Sequence, residues 1–347
     1  MNSNDISAVP TNIITGFLGV GKTSAILNLL KHKPDNERWA VLVNEFGEIG
    51  VDGSLFQGQR PAQGKVFIAQ VPGGCMCCAA GLPMQVALNQ LLTRAKPDRL
   101  LIEPTGLGHP VEVLQVLSAE YYRDVLALEK IVTLVDGRKL TDPRYTEHVT
   151  FNQQIEIADL VVGNKRDLYQ GEEQGLLEQY VTEHCAASTE LVLTEQGILQ
   201  SDWLKGPTQA IGAAPHHHPH KSHSRTGETS RTDDVNTMAL PACGYVKAEN
   251  QGEGYRSIGW RFEASRVFDH TALIGFLTRL KVERMKAVFI TNNGIFGYNL
   301  TTDALTETEL DDVMESRIEI ISPEINDEWQ SKLLNCLVVN HQLNLRF

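Results

Sequence analysis

The sequence predicts an α/β protein: a doubly wound, mostly parallel sheet domain followed by a smaller α+β domain. Three observations carry that prediction. Short apolar runs alternate with amphipathic stretches over the first two hundred residues. Each run ends in glycine or a polar residue. The composition then breaks at Gly206, and a different pattern begins after the break. Runs that are apolar throughout suit strands buried on both faces, as in a parallel sheet covered by helices. Strands alternating with helices make a doubly wound domain, whose polar loops gather at the carboxyl ends of the strands.

The elements follow in order. Asn12–Thr15 (NIIT) is a short strand that opens into a glycine loop, and AILNLLKHK continues with helical spacing. Trp39–Glu45, Arg99–Gly106, Lys130–Gly137, Ala158–Lys165 and Thr189–Thr194 read as further strands. LPMQVALNQLLTRA, PVEVLQVLS, NQQIEIA and EEQGLLEQYVTEHC read as the helices between them. This domain spans residues 1–205. Residues 206–238 are rich in Pro, Gly, Ser, Thr and His and hold almost no large apolar residue, so they cannot bury enough surface to offset chain entropy. They are expected to be a flexible linker. In residues 239–347, GYRSIGWRFEA, MKAVFIT and RIEIIS alternate as strands, while HTALIGFLTRL and NDEWQSKLLNCLVV repeat as helices.

Bulk properties narrow the function. The 347 residues are long for a single core, and a hydrophobic fraction of 42% with 21% charged residues is that of a globular chain. A net charge of −12 repels a phosphate backbone, which excludes general nucleic-acid binding but allows a local basic site. The start lacks the basic and apolar regions of a signal peptide, and no apolar run approaches the ~18 residues that span a bilayer. A cytoplasmic protein without a membrane partner is expected. Its assembly state is left open, homo-oligomers included.

Gly16–Thr23 (GFLGVGKT) fits G-x-x-x-x-G-K-[ST] between a strand and a helix. Such a loop needs glycine so that the backbone curls and aims successive N–H groups at phosphate oxygens. Gly16, Phe17, Leu18, Gly19, Val20, Gly21 and Ser24 are therefore expected to bind a nucleotide. Lys22 would meet the β- and γ-phosphates, and the Thr23 hydroxyl would ligate Mg²⁺. Asn164–Asp167 (NKRD) ends a core strand. Its Asp167 carboxylate can accept from guanine N1 and N2, a donor pair adenine lacks; Asn164 would bond the other edge and the Lys165 stem would pack on the ring. GTP is the expected nucleotide. Glu103, in LLIEPTG, is placed to organise Mg²⁺ directly or through water, and the Gly106 N–H to sense the γ-phosphate. No glutamine stands where a fast GTPase holds its attacking water. Glu45 and Glu48 of NEFGEIGVD are the nearest candidates, so slow intrinsic turnover is expected.

Half of the six cysteines lie within four positions, Cys75, Cys77 and Cys78 of PGGCMCCAAG. That clustering is unlike a secreted disulfide scaffold. Gly73 and Gly74 supply backbone curl, and a helix with Pro83 in its first turn follows. Thiols at a helix N-terminus ionise more readily. Three thiolates bound to zinc at ~2.3 Å leave a fourth tetrahedral position open. Cys185, Cys243 and Cys336 are isolated and form no second half-site. Water, Glu48 or a ligand from another protein could complete the zinc site. A redox device and simple packing are the competing readings. His216, His217, His218, His220 and His223 of the linker are weak auxiliary metal ligands at most, on a flexible backbone. His109 reads as an ordinary loop histidine.

Taken together, GFLGVGKT, NEFGE, GGCMCC, EPTG and NKRD, in that order, resemble the CobW-type family of metal-handling P-loop GTPases, and in particular its bacterial zinc-binding branch. The resemblance implies zinc carried at Cys75, Cys77 and Cys78 and handed to a client zinc-dependent metalloprotein as GTP is hydrolysed, with NEFGE as the nucleotide-sensing switch. Many relatives carry glutamate where this chain has Val43, so no zinc role transfers to that position. The short client-recognition segment of eukaryotic relatives is not found in MNSNDISAVPTN. Cobalt or nickel insertion, or a zinc store or redox sensor that uses GTP as an effector, are the alternatives.

Overall fold

A computed structural model of the chain describes residues 6–43, 66–71, 82–211, 240–241, 243–252, 254–310 and 313–338. Glu45, Glu48, Cys75, Cys77, Cys78 and the five linker histidines lie outside the described residues.

The first domain is an eight-stranded parallel sheet. Its strands are β1 (Val9–Gly16), β2 (Trp39–Val43), β3 (Val66–Gln70), β4 (Arg99–Glu103), β5 (Leu126–Leu128), β6 (Val132–Asp136), β7 (Leu160–Asn164) and β8 (Glu190–Leu193). They run in the order β3-β2-β4-β1-β6-β7-β8, with β5 pairing onto the start of β1, and every pairing is parallel. Successive side chains serve opposite faces. Ile14, Val41 and Leu101 pack on one side, against α1 (Lys22–Lys31) and the later helices. Ile13, Leu42 and Ile102 pack on the other, against α2 (Leu82–Ala95) and α3 (Pro110–Leu117). The doubly wound expectation is met. The short α4 (Pro143–Thr146), with α5 (Val149–Glu156) and α6 (Glu173–His184), completes the domain.

The second domain is a six-stranded antiparallel sheet, ordered β13-β12-β11-β14-β10-β9. Its strands are β9 (Tyr245–Gly252), β10 (Tyr255–Glu263), β11 (Arg284–Thr291), β12 (Gly294–Thr301), β13 (Leu305–Glu309) and β14 (Glu315–Ser322). Helices α7 (His270–Leu277) and α8 (Glu328–Leu334) bury Leu273, Leu277 and Leu333 against Trp260, Phe262 and Phe289 on one face. The opposite face carries Arg284, Lys286, Asn299 and Thr301 at alternate positions of β11 and β12 and turns toward the first domain.

The described chain stays attached to the first domain past the composition break at Gly206. Pro207 bridges to Glu129, the Gln209 amide donates to Asp159 (2.8 Å), and Ala210 packs on the core. These contacts tie the chain down through the first part of the polar stretch. No helix among the described residues is long and apolar enough to cross a membrane.

Candidate functional site

The phosphate loop joins β1 to α1. Its intervening side chains are anchors: Phe17, Leu18 and Val20 are buried, and the Phe17 ring stands edge-on to Tyr145, Phe151 and Tyr255 with centroids 5.1, 5.9 and 6.5 Å away. A buried Phe of this kind is worth about 3–5 kcal/mol against alanine. Those side chains hold the loop from beneath, so what they offer a nucleotide is main chain. Gly21 caps α1 in the left-handed conformation (φ 100°), and the helix begins at Lys22 with no acidic residue in its first turn. The free amides and positive dipole end of that turn suit an anion.

Two glycines here are forced. Gly16 has φ 138°, and a Cβ on it would lie 2.4 Å from the Leu134 carbonyl oxygen. A Cβ on Gly21 would lie 2.7 Å from Asn164 Nδ2. Gly16→Ala is expected to lose about 2–4 kcal/mol in urea unfolding, because rigid backbone blocks the Cβ in a conformation alanine disfavours. Gly175→Ala, in α6 with nothing within 4 Å, serves as the control and is expected to gain up to about 1 kcal/mol.

Lys22 curls back into the loop, and its Nζ donates to the carbonyls of Gly16 (2.7 Å) and Phe17 (3.1 Å). Burial pushes its ammonium well below the usual lysine range. Arg284 and Lys286 add to this, and Glu103 opposes it. The Thr23 hydroxyl donates to Glu103 Oε1 (2.8 Å) and accepts from Lys286 Nζ (2.7 Å). Both oxygens are buried and hard, as Mg²⁺ ligands are, and the Lys286 ammonium stands there as a cation already. The donor set therefore fits Mg²⁺. Gly106 lies alongside: a Cβ there would come within 3.1 Å of Lys22 Nζ. Ser24 is exposed at the edge of the loop.

Asn164 has a structural task. It is buried, its Nδ2 donates to the Val20 carbonyl (2.8 Å), and its Oδ1 accepts from the Gly197 amide (3.0 Å). It struts the phosphate loop against the loop after β8, and its amide keeps a second N–H and a second lone pair. Lys165 takes φ 60° and turns the chain so that Asp167 is exposed. Lys165 Nζ reaches Asp303 (2.7 Å) and Asp136 (3.4 Å). His109 Nδ1 lies 2.8 Å from Gln153 Oε1, as an ordinary loop histidine would.

The segments that hold NEFGE and the cysteines both leave the sheet at the carboxyl ends of its strands, the end where Glu103 lies. NEFGE departs from the end of β2. The cysteine segment lies between β3 and α2. Val43 pairs in register with Gln70 on one side and Glu103 on the other, and the Val71 amide donates to the Val43 carbonyl (3.1 Å). The NEFGE exit is therefore one strand from Glu103 and the cysteine exit two strands away on the same side. The other cysteines are elsewhere: burial pushes the Cys185 and Cys336 thiols up to about 11, and Cys243 is exposed in the second domain. Among the described residues no three His, Cys, Asp or Glu side chains gather as a metal site.

Residues the sequence reasoning missed come from the second domain: Arg284, Lys286 and Asp303 all reach the nucleotide site. The one local signal was a lysine inside the otherwise apolar run MKAVFIT.

Comparison with known proteins places the chain in a family. The chain is 40% identical over 329 residues to the protein named zinc chaperone YeiR of Escherichia coli, covering 93% of this chain and 97% of that one. It is 30% identical over 251 residues to the zinc chaperone CobW of Pseudomonas aeruginosa, covering 62% and 65%. It is 29% identical over 183 residues to the zinc-regulated GTPase metalloprotein activator 1 of Schizosaccharomyces pombe, covering 52% and 44%. A family model described as "CobW/HypB/UreG, nucleotide-binding domain" matches residues 10–191, from β1 through β8, and with it the chain belongs to the CobW family of nucleotide-binding proteins.

Proposed function

We propose that this chain is a zinc-binding GTPase that carries zinc at Cys75, Cys77 and Cys78 and hands it to client zinc-dependent metalloproteins as GTP is hydrolysed. The observation that carries the reading is the shared carboxyl end of the sheet. The chain enters the cysteine segment at Val71, one strand from the exit of NEFGE at Val43 and two from Glu103. A change at the phosphates then has a short mechanical route to the thiols.

In this reading the loop amides from Gly16 to Thr23 and the Lys22 ammonium receive the β- and γ-phosphates. Asp167 selects guanine, and Thr23 with Glu103 holds Mg²⁺. Mg²⁺, once bound, supplies neutralisation of the developing phosphate charge. Glu45 or Glu48 orients the attacking water, and without a glutamine there the intrinsic rate is slow. The ordering of NEFGE by GTP alters the fourth zinc position, which a client ligand takes over. The named activities of the relatives support this direction.

The test is zinc competition with a chromophoric chelator. Cys77→Ser is expected to weaken zinc binding at least about a hundredfold, since removing a ligand exceeds the 10–100-fold loss from a supporting partner. Zinc transfer to an apo-metalloenzyme should be faster with GTP than with a non-hydrolysable analogue. Unchanged zinc affinity in Cys77→Ser would remove the thiol assignment.

A further inference from the structure

The second domain closes on the nucleotide site at two points. At the first, Lys286 is 5% exposed, sits opposite Glu319 in the β11–β14 ladder, and donates to the Thr23 hydroxyl (2.7 Å). Thr23 and Glu103 are the oxygens a nucleotide-bound Mg²⁺ would need. At the second, Asp303, in the β12–β13 turn, receives two bonds from Arg138 (both 2.8 Å) and one from Lys165 (2.7 Å). Arg138 chiefly, with Lys165, holds the Asp303 carboxyl well below the usual range. Lys165 is the lysine of the guanine box. Between the two points, the space over Gly19, Gly21, Lys22 and Thr23, roofed by Arg284, Lys286, Asn299 and Thr301, measures about 30 Å³. That is room for about one water, far less than a triphosphate.

We propose that the second domain is an intrachain plug in which Lys286 takes the place of the nucleotide's magnesium ion and Asp303 occupies the guanine-box lysine, so that docking of the sheet and binding of Mg²⁺–nucleotide exclude one another. Nucleotide binding therefore lifts the sheet away and uncovers the face that bears Arg284, Lys286, Asn299 and Thr301. The charge pattern agrees. Lys22, Arg284 and Lys286 line one small space, and Arg284 and Lys286 both repel the Lys22 ammonium there, a repulsion that a phosphate would relieve. Apparent nucleotide affinity is reduced by the fraction of time the site is covered, so weakening the plug must raise affinity.

The inference rests on the nucleotide site proposed above, and the test separates the two. The nucleotide-free chain is titrated with fluorescent GDP, with GTP and with magnesium pyrophosphate, each with Mg²⁺ and then with EDTA. Interdomain distance is followed by small-angle scattering. Lys286→Met keeps the unbranched shape of the side chain, one atom shorter, and removes its charge. It is expected to bind GDP about tenfold or more tightly with Mg²⁺ and to gain much less in EDTA, since its competitor is the metal. Asp303→Asn is expected to gain affinity in both conditions, and it keeps the test decisive should Lys286→Met fold poorly. The radius of gyration of the unaltered chain should rise on adding Mg²⁺–GTP. Weaker binding in Lys286→Met would show Lys286 to be a phosphate ligand and overturn the plug. Unchanged affinity in both variants with no expansion would overturn it as well, while leaving the GTPase reading standing. If neither GTP nor GDP binds but magnesium pyrophosphate does, with the same variant effects and expansion, the guanine reading fails and the plug stands.

Discussion

Lys22→Ala is expected to weaken Mg²⁺–GTP binding at least about a hundredfold while lowering the Tm of the nucleotide-free chain by less than about 5 °C. The two readouts diverge because of where the ammonium sits. With nucleotide bound, Lys22 is a buried cation facing buried phosphate charge, and truncating one member of such a pair costs about 3–5 kcal/mol. Without nucleotide its bonds are two backbone carbonyls, Gly16 and Phe17, and its neighbours include two further cations, Arg284 and Lys286. Removing the charge gives up two hydrogen bonds but relieves desolvation and repulsion, so the net effect on stability is small. Calorimetric titration and thermal unfolding of the same preparation provide the comparison. A parallel loss of both would mean that Lys22 only builds the loop.

The divergence reflects how a parallel-sheet site is written in a sequence. Strands buried on both faces must be apolar at consecutive positions, so β2, β4, β6 and β7 stand out as unbroken runs, and the residues just past their ends are the site. Glu103, Asn164 and the phosphate loop were legible for that reason. The edge strands β9 and β13 carry no such run, whereas the half-buried β3, at the edge of the first sheet, does carry one in VFIA and was passed over all the same. β13 is the polar LTETE, and all three went unread. The glycine-interrupted β12 was missed as well.

Pairing across the chain is harder still. Thr23 and Lys286 are 263 positions apart, and only the packing of one domain on the other brings them to 2.7 Å. A lysine in a strand where almost every residue is buried is a visible anomaly, but the sequence does not say what it meets. The roles within motifs blur similarly. Phe17, Leu18 and Val20 fall in a loop defined by its glycines and turn out to be its anchors, and Asn164 spends both ends of its amide on backbone. A motif specifies a backbone shape, and side chains that support the shape are written in it alongside those that touch the ligand.

If Asp167 reads the guanine edge as proposed, Asp167→Asn is expected to exchange one nucleotide for another. The residue lies in the short turn after β7, which the Arg166 amide pins to the Thr194 carbonyl (3.0 Å) and the left-handed Lys165 points outward. Its two carboxylate oxygens can accept from guanine N1–H and the N2 amino group together. In asparagine one oxygen becomes an NH₂ group, which meets a guanine donor head-on. The cost is a lost charge-assisted bond and a donor left facing a donor, and GTP affinity should fall about a hundredfold or more. Xanthine carries a carbonyl at C2 in place of the amino group, so the same NH₂ finds an acceptor, and xanthosine triphosphate should bind within about tenfold of the original GTP affinity. The substitution is isosteric and on an exposed turn, so stability should stay within about 0.5 kcal/mol. An equal loss for both nucleotides would mean a disturbed turn. An unchanged GTP affinity would place the base elsewhere. The reversal alone assigns Asp167 to the guanine edge, because no general weakening of the site can improve one purine at the expense of another.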